Sequence, residues 1–386
     1  MHQSLHNTLN RCYFDWAATA IPEPAFSPES FPWGNPSSLH SEGRKARDAL
    51  EQARSRCAAV LGVPAKQIYF TSGGTESNAL VIYSLLLRRP SITVLASAVE
   101  HSSILANCAM LERMGRRTGI IPVEKDGRVS VPTLERALEK YPLTRLALIM
   151  GVNNETGAVM DMKSLAGVLR NREGPPIHIH CDLVQGIGKI PLNLKDWNID
   201  SASLSAHKLG GPRGIGLLYL RKPLEVLYTG GGQEGGIRPG TENTFGALAL
   251  AAALEKRAAP GIVQEEYQKA QDRWKRLIEA FKTLKRCVLI PEDREKEDPR
   301  FSPWILQAAF DGVPGEVMVR ALDDAGFAIS TGSACAAAGG ERPVLAAMGL
   351  DNQRSFEGIR ISQGWSTTIE EVELLFEAVK SILRFL

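Results

Sequence analysis

Between residues 66 and 220 the sequence alternates short apolar runs with stretches of helical periodicity, the pattern of a parallel sheet covered by crossover helices. Ile68-Tyr69-Phe70, Thr93-Val94-Leu95-Ala96, Leu146-Ala147-Leu148-Ile149-Met150, Ile177-His178-Ile179-His180 and Gly216-Leu217-Leu218-Tyr219-Leu220 read as strands. Residues 76–87, 103–114, 132–140 and 163–172 between them carry helical spacing. The expectation is a large α/β domain over residues 13–256, with ligands gathered beyond the carboxyl ends of its strands. Beyond a helical stretch at 244–256, a long amphipathic segment at 263–282 leads into a smaller α+β domain over 257–386. Its expected strands are 287–290, 306–310, 328–329 and 358–361, and its expected helices 315–325 and 369–383. The N-terminal segment 1–35 is free to pack with this smaller domain. Part of it, rich in proline (Pro22, Pro24, Pro28, Pro32), reads as an irregular loop.

Charge and cysteine usage narrow the functional classes. Against 45 basic residues stand 43 acidic ones, so no global field draws the chain to nucleic acid or to a membrane surface. Six cysteines (Cys12, Cys57, Cys108, Cys181, Cys287, Cys335) are scattered without a Cys-x-x-Cys pair, in a chain too large to need disulfide staples. A reducing cytoplasm suits that usage. The first residues lack a basic-then-apolar leader, and no run approaches the length of a membrane span.

The chemistry-bearing residues fall at expected strand ends. Ser205-Ala206-His207-Lys208-Leu209-Gly210-Gly211 places an amine among a hydroxyl, an imidazole and two glycines, and Asp182 ends an earlier apolar strand. A pyridoxal phosphate site needs such parts: an amine for the Schiff base, donors for the phosphate, and an acid beside the pyridine nitrogen. Taken alone, the lysine string fits a solvated surface loop equally well. Thr71-Ser72-Gly73-Gly74-Thr75-Glu76-Ser77-Asn78 follows a strand and opens a helix, so it is either an anion site for one phosphate at Gly74 and Thr75 or a glycine turn with Thr75 as N-cap. His101 follows the next strand, where an imidazole can lie flat on an aromatic ring and move protons. Gln185 and the turn Asn153-Asn154-Glu155-Thr156-Gly157 offer hydrogen bonds to a ring hydroxyl. His178 and His180 share one strand face, but with no third ligand at useful spacing no metal site is expected. Cys335 differs from the other cysteines in lying within Ser330-Thr331-Gly332-Ser333-Ala334-Cys335-Ala336-Ala337-Ala338-Gly339-Gly340, a setting suited to an accessible nucleophile. Arg360, between apolar neighbours, is costly unless its fork meets an anion such as a substrate carboxylate.

Taken together, Phe14 to Thr19, Gly34-Asn35-Pro36-Ser37-Ser38, the phosphate turn, Glu100-His101, the Asn153 turn, Asp182 to Gln185, Ser205 to Lys208, Pro239-Gly240-Thr241-Glu242-Asn243 and Gly332 to Cys335 resemble the cysteine desulfurases. These belong to the class V aminotransferase-like, fold type I pyridoxal phosphate enzymes. The resemblance runs in order from about residue 13 to the C-terminus, and the cysteine loop is similar to that of the group with the longer, flexible loop. It implies that Lys208 is the Schiff-base lysine and proton carrier. Thr75, Ser205 and His207 would hold the phosphate, with Thr241 reaching in from the partner subunit of a homodimer. His101 would stack on the ring, Asp182 would face its nitrogen, and Gln185 with Asn154 would lie on its hydroxyl side. Arg360 and Asn35 would bind the carboxylate of L-cysteine. Cys335 would attack the substrate sulfur, leaving alanine and a persulfide for a sulfur-acceptor protein, in iron-sulfur cluster assembly or a thiolation pathway.

The sequence departs from that pattern at three places. Trp16 stands where a small polar residue is usual, Gly235 stands where an arginine commonly follows the glutamate, and after Cys335 a Ser-rich continuation gives way to Ala336-Ala337-Ala338-Gly339-Gly340-Glu341-Arg342-Pro343, one residue shorter. These touch the substrate entrance, the loop's reach and the acceptor rather than the cofactor. A selenocysteine lyase, or a scaffold paralogue that has lost turnover, are the competing readings.

Overall fold

Strand alternation explains why the apolar runs are nearly continuous. In a computed structural model, which describes residues 11–24, 31–87, 92–332 and 342–385, Leu95, Ala147 and Ile179 enter one hydrophobic core while Val94, Ala96, Leu146 and Leu148 enter another. Successive side chains point to opposite faces, and both faces are covered, so polar alternation is lost. The strands are β1 (Cys12–Tyr13), β2 (Ile68–Thr71), β3 (Thr93–Ser97), β4 (Arg117–Ile121), β5 (Thr144–Leu148), β6 (His178–Asp182), β7 (Ser201–Ser205), β8 (Gly216–Leu220), β9 (Cys287–Ile290), β10 (Ile305–Phe310), β11 (Phe327–Ala328) and β12 (Gly358–Ser362).

Seven of them form one sheet in the order β2-β8-β7-β6-β5-β3-β4. It is mostly parallel, but β8 runs antiparallel to both β2 and β7. Because β8 opposes two neighbours, β2 and β7 point the same way. The carboxyl ends of β2, β3, β5, β6 and β7 therefore share one edge. Two strands of this sheet carry no apolar run that marks them. β4 (Arg-Thr-Gly-Ile-Ile) lies at the sheet's edge and is partly exposed. β7 is wholly buried yet reads Ser-Ala-Ser-Leu-Ser. The helix Ser41–Leu61 precedes the alternating region; it is capped by His40, whose side chain accepts from the Gly43 amide, and ends on left-handed Gly62.

The edge strand β2 is pinned by a buried ion pair. Arg54 donates through both terminal nitrogens to Glu234 (2.8 Å each), and Glu234 also accepts from the Phe70 amide at 2.6 Å. The Glu234 side chain is only 1% exposed, so removing its charge takes the bidentate partner from a buried guanidinium and leaves it the exposed Glu51 carboxylate at 3.2 Å. Glu234→Gln is expected to destabilise the fold by about 3–5 kcal/mol, read as a lowered midpoint of denaturant unfolding; an unchanged midpoint would contradict the assignment.

A second core forms around the antiparallel sheet β9-β10-β12. Trp274, Leu277 and Phe281 of the helix Pro260–Phe281, Met318 and Leu322 of Gly315–Asp324, and Leu375 and Val379 of Ile369–Ile382 pack against Leu306, Phe310, Ile359 and Ile361. The start of the chain joins this core. Cys12 and Tyr13 pair in parallel with Phe327 and Ala328, Phe14 is fully buried there, and Asp15 bridges to Ser362. From that anchor residues 17–19 run back across the carboxyl edge of the large sheet, where they line a cavity.

Candidate active site

The cavity, about 540 Å³, opens at the shared carboxyl edge. Gly74, Thr75, His101, Asn154, Asp182, Gln185, Ser205, His207, Lys208 and Arg360 all line it. They arrive from five strand ends and from β12 of the second core, so the fold gathers residues that are far apart in the chain.

At one end the backbone is built for an anion. Gly73 has φ 155° and ψ −176°, a region open only to glycine, and a methyl group on Gly74 would come within 2.6 Å of Val184 Cγ2. The helix Gly74–Ser84 thus begins hard against the chain leaving β6, with its first amides toward the cavity. Ser205, His207 and Arg213 line the same cavity, and His207 Nδ1 and Arg213 Nη2 both contact Thr19 Oγ1, at 3.1 and 3.4 Å. Burial, then the nearby Lys208, pulls the His207 imidazole down to about 4, so it is neutral at physiological pH.

Lys208 closes a single 3-10 turn directly after β7. Its Nζ donates to the carbonyls of Ala17 (2.6 Å) and Ala18 (2.7 Å). Burial first, and the positive Arg360 second, lower this amine from its ordinary value to about 8. A lysine in that state supplies a free amine near neutral pH, which an exposed lysine does not.

The opposite wall is organised by one amide. Asn78 Nδ2 donates to Asp182 Oδ2 and to Ser103 Oγ, both at 2.9 Å. The second Asp182 oxygen accepts from the Val184 amide at 2.9 Å. Ser103 Oγ in turn lies 2.8 Å from His101 Nδ1, which also accepts from the Ser103 amide, so the His101 proton sits on Nε2. Desolvation lowers the His101 pKa and keeps the ring neutral. Behind Asn78 its Oδ1 accepts from His180 Nε2 (2.8 Å), and Ser201 Oγ bridges His180 Nδ1 and His178 Nε2 at 2.7 Å each. His178 and His180 therefore support Asn78. Among the described residues no group of three or more His, Cys, Asp or Glu side chains is placed to hold a metal.

Two expected residues, Asn35 and Thr241, do not line the cavity in this chain, and a third is not described. Asn35 is exposed and its side chain accepts from the Ser37 amide at 2.9 Å. Thr241 is exposed and does not line the cavity. Cys335 lies outside the described residues, but Gly332, three positions before it, is part of the cavity wall.

A model of the family described as Aminotransferase class-V matches residues 12–375. The chain belongs to this family. Within the class-V aminotransferases it belongs to the cysteine desulfurases of the IscS/NifS group. It is 39% identical over 358 residues to a NifS/IcsS protein homolog of Lactobacillus delbrueckii subsp. bulgaricus, spanning 91% of this chain and 90% of the relative. It is 35% identical over 396 residues to the cysteine desulfurase IscS of Rickettsia prowazekii, spanning 99% and 93%. A solved NifS-like protein superposes with a TM-score of 0.87 at 31% identity, covering 97% of this chain and all of that one.

Membership in the class-V aminotransferases implies pyridoxal 5'-phosphate dependence, and the cavity fits that group. Its volume lies within the usual range for small-molecule sites. A glycine-only helix start with hydroxyl, imidazole and guanidinium donors suits a phosphate, Lys208 supplies an amine of lowered basicity, and Asp182 is fixed through both oxygens.

Sequence reasoning had missed several contributors in this class-V site. Arg213 follows Lys208 within Gly211-Pro212-Arg213-Gly214, and a basic residue so near a phosphate-binding loop was the available signal. Lys189 is buried, donates to Gln185 Oε1 at 2.8 Å, and is drawn down to about 7 by burial; with Gln185 Nε2 donating to the Ala17 carbonyl, it fixes that amide. Asp15 pairs with Arg360 at 2.6 Å, and Arg360 also donates to the Asn154 carbonyl. Its neighbourhood was visible in the sequence, its partner was not.

Proposed function

We propose that this cysteine desulfurase converts L-cysteine to L-alanine with pyridoxal 5'-phosphate and stores the sulfur as a persulfide on Cys335 for an acceptor protein. The observation that carries the proposal is one cavity that unites Lys208, Asp182, His101 and the Gly74 helix start, with Gly332 of the Cys335 segment in its wall. When bound, the cofactor would supply an electron sink for bonds at the substrate's α-carbon.

The protein's own residues do the rest. Gly74, Thr75, Ser205, His207 and Arg213 would hold the cofactor's phosphate, with Thr241 of a second copy adding to it in a homodimer. Asp182 would keep the ring nitrogen protonated and His101 would support the ring. Gln185 and Asn154 would hydrogen-bond its hydroxyl. Arg360 takes the substrate carboxylate, and the Lys208 amine carries the proton between Cα and its next position. The Cys335 thiolate then bonds to the substrate sulfur as the carbon–sulfur bond breaks. The electron pair stays with the carbon skeleton, which gains a proton and becomes the methyl group of alanine. Sulfur is oxidised to the persulfide level as that carbon is reduced, so no outside oxidant enters. The acceptor that fits this chemistry is an iron-sulfur scaffold or a sulfur carrier.

Anaerobic incubation of the holoenzyme with L-cysteine tests the proposal. The peptide containing Cys335 is expected to gain the mass of one sulfur, with one alanine released for each sulfur held. Alanine release with that peptide unmodified would overturn the persulfide route.

A further inference from the structure

A buried amine stands behind the cavity wall, and the one group it bonds among the described residues is neutral. Lys189 is 2% exposed. Its Nζ donates to Gln185 Oε1 at 2.8 Å, and among the described residues no carboxylate lies within ion-pair distance of it. Lysine ordinarily lays its stem along the surface and keeps the ammonium in water, so one held inside without a counter-ion is costly. The neighbouring charges raise that cost. Burial first, then the positive Lys208 and Arg360, draw the amine down to about 7. The carboxylates of this region, Asp15 and Asp182, act on Lys208 instead.

The backbone keeps the lysine in that place. Gly188 has a φ of 71°, and a methyl group on it would come within 2.8 Å of Leu209 Cδ2 and 3.1 Å of the Arg257 carbonyl oxygen, so the turn is pressed against the residue that follows Lys208. The Lys189 carbonyl itself accepts from Trp304 Nε1 at 2.6 Å. Between this turn and the segment at Ala17 the Gln185 amide has one orientation. An ammonium only donates, so the amide oxygen faces Lys189. The nitrogen donates to the Ala17 carbonyl at 2.8 Å, the same oxygen that accepts from Lys208 Nζ at 2.6 Å. Gln185 lines the cavity, and one of its two N–H groups is left over among the described residues.

We propose that Lys189 is a positioning residue for the cofactor: by donating to Gln185 Oε1 it makes that amide a strengthened hydrogen-bond donor to the ring's hydroxyl oxygen, and so sets how tightly the bound cofactor holds its proton. This inference rests on the pyridoxal 5'-phosphate reading above. Lys189 does not line the cavity, so it acts through Gln185 and not by touching the cofactor. A donor on the amide oxygen polarises the amide and strengthens its N–H groups, as along any chain of hydrogen bonds. An N–H given to the ring oxygen favours the anionic form of that oxygen, and the bound cofactor then releases its proton at lower pH. The Ala17 carbonyl fixes where the amide nitrogen lies. The buried charge behind it sets how strongly that nitrogen donates.

The test is a pH titration of the holoenzyme's visible absorbance, without substrate, in the wild type, Lys189→Met, Gln185→Leu and the double variant. Lys189→Met is expected to keep its cofactor and to move the midpoint of the absorbance change up by about one unit, tenfold in the proton equilibrium and the scale of one hydrogen bond to a charged group. A merely structural role would weaken cofactor binding and leave that midpoint in place. Because the lysine acts through the amide, Lys189→Met should add almost no shift in the Gln185→Leu background. An equal shift in both backgrounds would reveal a field that bypasses Gln185 and would overturn the inference, as would an unmoved midpoint in Lys189→Met. Should Lys189→Met not fold or not hold cofactor, Lys189→Gln decides: its neutral amide lacks the charge, so the midpoint should still rise, and an unmoved one overturns the inference. A wild type that takes up no cofactor would instead overturn the pyridoxal 5'-phosphate reading.

Discussion

Lys208→Ala is expected to abolish covalent retention of the cofactor and to lower alanine formation by about 10³-fold or more. Two functions should disappear at once, because the proposed mechanism gives one amine both the bond to the cofactor and the transfer of the α-proton. Among the described residues its Nζ has no carboxylate partner and is held by the carbonyls of Ala17 and Ala18, so the truncation breaks no described ion pair and the fold should survive. The direct measurement is borohydride reduction followed by mass analysis: wild-type protein retains cofactor on the peptide containing Lys208, and the variant retains none. Lys208→Arg separates charge from chemistry, since a guanidinium keeps the charge but does not deprotonate. It should be as inactive as the alanine variant. Cofactor fixed covalently in Lys208→Ala would contradict the assignment.

The same amine sets a pH dependence. With its pKa lowered to about 8 by burial and by Arg360, the neutral nucleophilic form fills as pH rises through that value. Capture of pyridoxal 5'-phosphate by the apoprotein should therefore accelerate up to about pH 8 and then level. An unburied lysine would keep accelerating beyond pH 10.

What could be read in the sequence was local. Gly73-Gly74-Thr75 and Ser205 to Lys208 each combine backbone geometry and chemistry within a few residues, and both lie where the reading put them, at strand ends facing one cavity. Strands rich in branched residues were legible for the same reason. β7 was not, because its stability comes from burial between β6 and β8 and from Ser201 bonding two histidines, which a period of apolar residues does not register. The reversed direction of β8 was equally hidden, since apolar alternation looks alike in either orientation. Asn78 is the sharpest case: its contacts with Asp182 and His180 join residues more than a hundred positions apart. Within the phosphate turn it passed as one more polar residue. His178 and His180, weighed as metal ligands, prove to be the outer links of that same chain.

Cys335→Ala is expected to remove the persulfide and to lower alanine release by about 10³-fold or more, while cofactor absorbance and its change on adding L-cysteine persist. None of the described cysteines can substitute for it. Thiolate, not thiol, attacks sulfur. Burial pushes the thiols of Cys57, Cys108 and Cys287 up to about 12 and that of Cys181 well above its ordinary value; it also raises Cys12. At pH 8 a thiol with a pKa near 12 is thiolate about one part in 10⁴, and none of these five cysteines lines the cavity. Neither charge nor position lets them replace Cys335. The groups proposed to hold the phosphate and the ring and to carry the proton all lie on other segments, so the variant should stop after the steps that need Lys208 and before sulfur leaves. Single-turnover absorbance with parallel alanine measurement reads that division: a fast change of wild-type size followed by almost no product. Wild-type alanine release from Cys335→Ala would show that the sulfur leaves without a protein nucleophile, and comparing L-cysteine with selenocysteine in that variant would show whether the lyase reading accounts for it.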